Sequence, residues 1–368
     1  MSEMDKFFNI LKSLSEAFGP SGHEDEVREL VIQYLQDLCD KVTVDRWGNV
    51  YGFRYGKQEN VKIMIAAHMD EIGLIVDKIE RNGFLRFRPI GGWTEQALVA
   101  QRVIVRTRDG KKIRGVIGIK PPHLATPGEE RKLPELKDMF IDIGVYSKED
   151  AEKLGIEPGC VAVLDRDLVK LSDSVVTGKA FDNRVGVAVM IWALTLLKDK
   201  TLDYTICAVA TVQEEIGLRG AGIAAEKVYP VYAIALDTTP TQDVPGIPER
   251  EQTIKLGKGP AIKYMDGGRL GMFIAHPVVR QHLIDVAKRE NIPYQIEILL
   301  GGTTDATAIA FRKEGIPAGG ISIPTRYIHS PVEVLDLNDA INGAKLLAKA
   351  IEYTTDELIK KLQDKVVK

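Results

Sequence analysis

The chain has 368 residues, of which 45% are hydrophobic and 27% charged, with a net charge of −3. That length exceeds one core of ordinary size and predicts two domains. The near-neutral charge argues against nucleic acid or an anionic membrane as the main partner, and no apolar run approaches the roughly 18 residues that would span a bilayer.

The N-terminal stretch MSEMDKFFNILKSL lacks a basic flank before a sustained apolar core and reads as an amphipathic helix, not a signal peptide. After the loop FGPSGHEDEV, apolar residues at Val27, Leu30, Val31, Tyr34, Leu35 and Leu38 form a helical stripe. Ser21 is its expected N-cap, with Glu24 as capping-box partner. Val61–Ala67 (VKIMIAA) then has the continuous apolar character of a strand buried on both faces. The three cysteines, Cys39, Cys160 and Cys207, show no paired spacing, and Cys207 lies in an apolar strand. They read as buried free thiols of a cytoplasmic protein, not as disulfides or thiolate metal ligands.

From 71 to 165 helical periodicity gives way to short alternating strands. Asn82-Gly83 and Asp109-Gly110 are hairpin signals between them. One short helix is opened by Ser147, with Asp150 in the capping box, and closed by Gly155. This segment predicts a small β-barrel inserted into a parent domain made of 1–70 and 166–368. The stretch 121–138 is a long polar loop, expected to be mobile or to face a partner. The run of Arg81, Arg86, Arg88, Arg102, Arg106, Arg108, Lys111, Lys112 and Arg114 reads as a solvated barrel face.

After 166 the α/β grammar resumes. DNRVGVAVMIWALTLLKD is an apolar helix; YTICAVATV, VYAIALD and PAGGISIP are strands; helices near 276–290 and 338–364 complete the layer. The fold class expected is α/β, a mostly parallel mixed sheet sandwiched by helices, with the small barrel inserted.

Chemistry concentrates where apolar strands end in charge. His68 closes VKIMIAAH, with Asp70 two residues on; Glu214 and Glu215 follow YTICAVATVQ; Asp237 closes VYAIALD; His329 follows GGISIPTRYI; and Asp182 opens a helix. Sites in open α/β sheets form beyond the carboxyl ends of the strands, so one fold rule gathers these residues. Alone, His68 reads as a structural histidine and Asp182 as a helix cap; the convergence is the signal. Paired carboxylates in a low-dielectric site require cations or a shared proton. Imidazole and carboxylate without cysteine suit zinc, cobalt or manganese. Two histidines and three carboxylates exceed one tetrahedral ion and suit two ions sharing a carboxylate. Asp182, Glu215 and Asp237 with a bridging hydroxide then neutralise two divalent cations. Glu214 is the surplus carboxylate, free to act as general base and then acid. Strand alternation is expected to turn Glu215 to the metals and Glu214 to the substrate.

The strings AAHMDEIG, GKAFDNRVG, VQEEIG, ALD and RYIHSPVE, in that order and across nearly the whole chain, resemble the motifs of the tetrahedral aminopeptidase family, which includes glutamyl and deblocking aminopeptidases. The resemblance implies a zinc exopeptidase-like fold with a PDZ-like insert and removal of single residues from peptides with a free N-terminus. By it, one metal takes His68, Asp182 and Asp237, and the other takes Asp182, Glu215 and His329. Asp182 bridges, Glu214 is the catalytic base, and Asp70 orients His68. It also implies a homo-oligomer, a hollow dodecamer with inward-facing sites, and a contact role for the insert. Thr303 in GGTTDATAI, where the family favours glycine, and Gly267 and Gly268 in KYMDGGRLGMF are departures that bear on specificity. Arg326 and Tyr327 either contact substrate or pack at the rim. His23, His123, His276 and His282 are read as non-catalytic. Competing readings are a dimetal deacylase or carboxypeptidase, separated by substrate; a metal-free glycosidase, separated by a chelator; and a metal-stabilised scaffold, separated by Glu214→Gln.

Overall fold

Four apolar strands form the centre of a mixed sheet. Tyr204–Thr211, Gln58–His68, Tyr232–Pro240 and Ala318–Arg326 lie side by side in that order, all parallel. Their sequences are continuous in apolar and small residues because helices cover both faces. The computed structural model describes residues 1–124, 133–268 and 271–363. Among these, antiparallel strands flank the parallel centre. Val50–Arg54 joins Tyr204–Thr211 on one side, with Lys41–Val44 outside it. Glu333–Asp336 and Val175–Gly178 follow Ala318–Arg326 on the other. A further extension, Ala261–Gly268, Gly271–Ile274 and Gln295–Ile298, branches from the same strand.

One sheet face carries most of the helices. Glu3–Glu16, Asp25–Gln36, Phe181–Leu197, Pro277–Arg289 and Leu337–Glu352 all contribute to a single large core. Phe181–Leu197 is apolar all round because it packs on the sheet and is covered by the first and last of these helices. Arg219–Val228 and Asp305–Ala310 cover the opposite face through alanine-rich surfaces.

The inserted segment closes into a barrel of strands Gly73–Ile79, Leu85–Ile90, Phe140–Asp142, Lys112–Gly118, Arg102–Arg106 and Val161–Leu164. Both expected hairpins form, and Gly83 and Gly110 take the positive φ their turns need, +89° and +85°. Ser147 caps Lys148–Lys153 as expected. The basic run lies on the barrel surface opposite acidic partners, including Arg88 with Asp77 and Arg108 with Glu157. Part of the polar loop, 125–132, lies outside the described residues. No helix among the described residues is long and apolar enough to cross a membrane. The three cysteines are free thiols; Cys160 and Cys207 are buried as expected, whereas Cys39 is only half-buried.

Two local expectations are corrected. Ser21 does not cap the second helix: Glu24 occupies that position without a side-chain cap bond, and the Ser21 hydroxyl instead donates to Asp70 at 2.6 Å. The helix read at 338–364 is two helices, Leu337–Glu352 and Asp356–Leu362. Thr355 starts the second, its hydroxyl accepting the Leu358 N–H.

A buried ionic knot ties the N-terminal helix to the sheet. Arg184 is fully buried; it donates to the carbonyls of Leu14, Ala17 and Gly19 and, at 3.2 Å, to Glu71, which Lys179 also bonds at 2.8 Å. Arg184→Met is expected to leave those acceptors dry and unmatched, costing about 3–5 kcal/mol of folding stability, measurable as a lowered midpoint in urea unfolding.

Candidate metal centre

Register brings the strand ends together. Thr211 pairs with His68, and Ala235 pairs with Ala66, so Asp237 stands level with His68 on the neighbouring strand. Asp182 enters from the first turn of Phe181–Leu197, where its backbone is non-helical. His329 reaches the rim from the turn after Ala318–Arg326, in a left-handed conformation with φ 60°. All six expected rim residues, His68, Asp182, Glu214, Glu215, Asp237 and His329, line one cavity of about 460 Å³.

The two imidazoles divide the carboxylates between them. His68 Nε2 lies 3.2 Å from Asp182 Oδ1, 3.7 Å from Glu214 Oε2 and 3.8 Å from Asp237 Oδ1. His329 Nε2 lies 3.4 Å from Asp182 Oδ2 and 3.1 Å from Glu215 Oε2. Asp182 thus turns one oxygen to each histidine. Two ligands about 2.1 Å from one tetrahedral ion stand about 3.4 Å apart, close to three of these separations. Glu215 Oε1 is buried with no hydrogen-bond partner, a lone pair placed for a cation. Two sets of donor atoms lie within metal-binding reach: His68 with Glu214 and Asp237, and His68 with Asp182 and Glu215. Distance alone therefore leaves Glu214 inside the ligand range.

The electrostatics carry the same message. Burial, then the charge of Asp182, raises Asp237 well above the usual carboxylate range. Burial also raises Glu214, with Asp237 and Glu215 adding to it against the pull of His68. His68 is raised well above its ordinary value, because Glu214, Asp182 and Asp70 outweigh the opposing effect of burial. For His329 burial is likewise outweighed, by Glu215 and Asp182, and the imidazole is pushed up to about 12. Burial raises three of the four carboxylates, Glu214, Glu215 and Asp237, whereas at Asp182 burial is outweighed by the two imidazoles, which hold it below the usual carboxylate range. Divalent cations neutralise such a cluster, and the donor set of imidazole nitrogen and carboxylate oxygen fits them.

Asp70 is fully buried behind this cluster. It lies 3.4 Å from His68 Nδ1 through Oδ1, which also accepts the Glu214 N–H at 3.0 Å; Oδ2 accepts the Glu215 N–H at 3.2 Å. The expected alternation of Glu214 and Glu215 does not apply. The strand ends at Thr211, Gln213 is left-handed, and both glutamates sit in the following turn with their side chains in one cavity. Period two holds only while the backbone stays extended.

Sequence reasoning gave no role to Glu333, although it lies within RYIHSPVE. Its carboxylate accepts the backbone N–H groups of both Asp182 and His329 at 3.1 Å. A buried acid between Val332 and Val334 is the signal that marks it. Arg326 is bound by Asp243 at 2.6 Å, and neither it nor Tyr327 lines the cavity, whereas Ile328 does. Gly301–Thr304 form one wall, and Gly267 donates its N–H to the Gly302 carbonyl at 2.9 Å to back it; residues 269 and 270 lie outside the described residues. His23, His123, His276 and His282 do not line the cavity.

Comparison with known proteins shows which family the chain belongs to. A model of the M42 glutamyl aminopeptidase family matches residues 48–346. An aminopeptidase from the archaeon Desulfurococcus kamchatkensis is 49% identical over the whole of both chains, with a TM-score of 0.95. The lysyl aminopeptidase of Pyrococcus furiosus is 37% identical over 94% of this chain and 96% of its own. The TET1 peptidase of Pyrococcus horikoshii, which can assemble into a tetrahedron or a large octahedral shell, is 35% identical over 94% of this chain and 99% of its own, with a TM-score of 0.83. With its imidazole–carboxylate cluster at the carboxyl rim of a mixed α/β sheet, the chain belongs to the M42 glutamyl aminopeptidase family and is a metallo-aminopeptidase.

Proposed function

We propose that the chain hydrolyses the first peptide bond of peptides with a free N-terminus, with two divalent ions held by His68, Asp182 and Asp237 and by Asp182, Glu215 and His329. The observation that carries this is Asp182, whose two oxygens face different imidazoles at 3.2 and 3.4 Å, as a shared ligand must. Zinc and cobalt suit the donor set best, and manganese is compatible with it. When bound, the ions supply Lewis-acid polarisation of the scissile carbonyl and acidify water toward neutrality.

The remaining work belongs to side chains. Glu214 is the carboxylate left over once three ligands are given to each ion. Its Oε2 takes the proton of the attacking water and returns it to the leaving amine. The turn that bears it is fixed by Asp70 through the Glu214 and Glu215 N–H groups, so the carboxylate is aimed before substrate arrives. Asp70 also fixes the His68 ring from its Nδ1 side.

Beyond the cluster, the cavity wall is Gly217, Leu218, Thr238, Pro240, Leu299, Gly301, Gly302, Thr303, Thr304 and Ile328. The described charges behind it are consumed internally: Lys263 bonds Glu297 at 2.8 Å, and Asp266 takes the Thr304 hydroxyl at 2.9 Å. Such a wall suits uncharged N-terminal side chains of moderate size. The barrel segment 71–165 is read as the part that joins subunits; a homododecamer is supported by the PhTET1-12s relative, 35% identical over 95% of this chain and described as a dodecamer.

Three outcomes test this function. Chelation is expected to abolish turnover, and titration back with zinc, cobalt or manganese should restore it only as two ions per chain are taken up. Glu214→Gln should keep both ions while kcat falls by about 10²–10⁴; loss of one ion on this change would make Glu214 a ligand instead. In an aminoacyl anilide panel, alanyl and leucyl substrates should exceed glutamyl and lysyl ones in kcat/KM by about tenfold or more, and activity confined to N-acylated amino acids would reject the aminopeptidase reading.

A further inference from the structure

Glu333 begins the strand Glu333–Asp336, paired opposite Gly178, and is 2% exposed. Its Oε2 accepts the Asp182 N–H and its Oε1 the His329 N–H, each at 3.1 Å. Neither donor belongs to a regular backbone ladder. Asp182 has φ −77° and ψ 104° at a helix entrance, and His329 is left-handed in a turn. Buried N–H groups in such places need a side-chain acceptor, and one carboxylate serves both.

We propose that Glu333 is a positioning residue that clamps Asp182 and His329 in register and thereby sets the affinity of the His329 half of the site. The proposal rests on the two-ion reading above. Asp182 is shared by both ions and Asp70 supports Glu215, so the selective effect rests on His329, whose backbone N–H Glu333 holds. Asp70 holds the His68 ring and the backbone of Glu214 and Glu215. Nothing in that set reaches the His329 backbone, which Glu333 holds. His329 is also the more exposed imidazole, 34% against 2% for His68, so it has less packing to keep it in place without the clamp. Glutamine in place of Glu333 preserves volume, but its NH₂ must face one of the two N–H donors and breaks half of the clamp.

The test titrates metal-stripped protein with zinc and with cobalt, following stoichiometry by calorimetry and, for cobalt, the visible spectrum. Wild type should bind two ions. Glu333→Gln should bind one ion as tightly as wild type and the other about 10–100-fold more weakly, resembling His329→Ala in which ion is lost. Glu333→Asp, which keeps the charge but is too short to reach both donors, should show the same selective weakening and covers the case in which the glutamine variant does not fold. Equal weakening of both ions, or a lowered unfolding midpoint with both affinities unchanged, would overturn the clamp and leave Glu333 a general structural residue. If wild type bound fewer than two ions, the two-ion reading would fall and the clamp with it.

Discussion

Crowding of like charge at the carboxyl rim of the sheet is the constraint that the remaining structure answers. Asp182, Glu214, Glu215 and Asp237 share one cavity with two imidazoles, and each of the four is nearly buried. Carboxylates so placed repel one another and are poorly solvated, so the fold must hold them by other means. Much of that restraint falls on the backbone. Asp70 binds the N–H groups of Glu214 and Glu215, and Glu333 binds those of Asp182 and His329. Four of the six rim residues are thus strapped through their main chains, which leaves their side chains free to face the cavity.

A second tier of buried polar contacts lies behind these straps, on the N-terminal loop and on the flank formed by residues 263–322. The Ser21 hydroxyl donates to Asp70, and the Ser21 backbone is fixed by Glu71, whose carboxylate is neutralised by Lys179 and Arg184. The N-terminal loop therefore supports the catalytic rim, although none of its residues lines the cavity. On the opposite flank, Lys263, Glu297 and Asp266 compensate one another behind the Gly301–Thr304 wall, and Ser322, paired with Asp237 across the strands, donates to Glu297. Buried ion pairs contribute little net stability when complete, yet removing one partner costs heavily. Their value here is geometric: they hold the Gly301–Thr304 loop and the strand beside Asp237 at fixed separation.

The rim residues were legible because a polar residue at the end of a continuous apolar strand is conspicuous, and because the strand ends of an α/β sheet lie on one edge. The hairpins at Asn82-Gly83 and Asp109-Gly110 were legible for a local reason, the positive φ those turns require. A local rule misleads past the end of its own element. Ser21 has the spacing of a capping box, but Asp70, distant in sequence, takes its hydroxyl. Glu214 and Glu215 were assigned opposite faces by a periodicity that stops three residues earlier. The extension is not legible locally, because Ala261–Gly268 ends in charge and glycine and Gly271–Ile274 and Gln295–Ile298 are only four residues each.

By itself, then, the sequence determined the alternation of strands and helices, the place of the inserted barrel segment and the identity of the six rim residues, since each follows from composition and periodicity within a short window. Tertiary structure alone decided that Asp182 faces both imidazoles, that Asp70 and Glu333 hold the main chain beneath the cluster, and that the cavity wall beyond the cluster is uncharged. Those facts rest on hydrogen bonds and contacts between segments up to about 150 residues apart in the chain, and no local pattern encodes which distant partner a buried carboxylate will find.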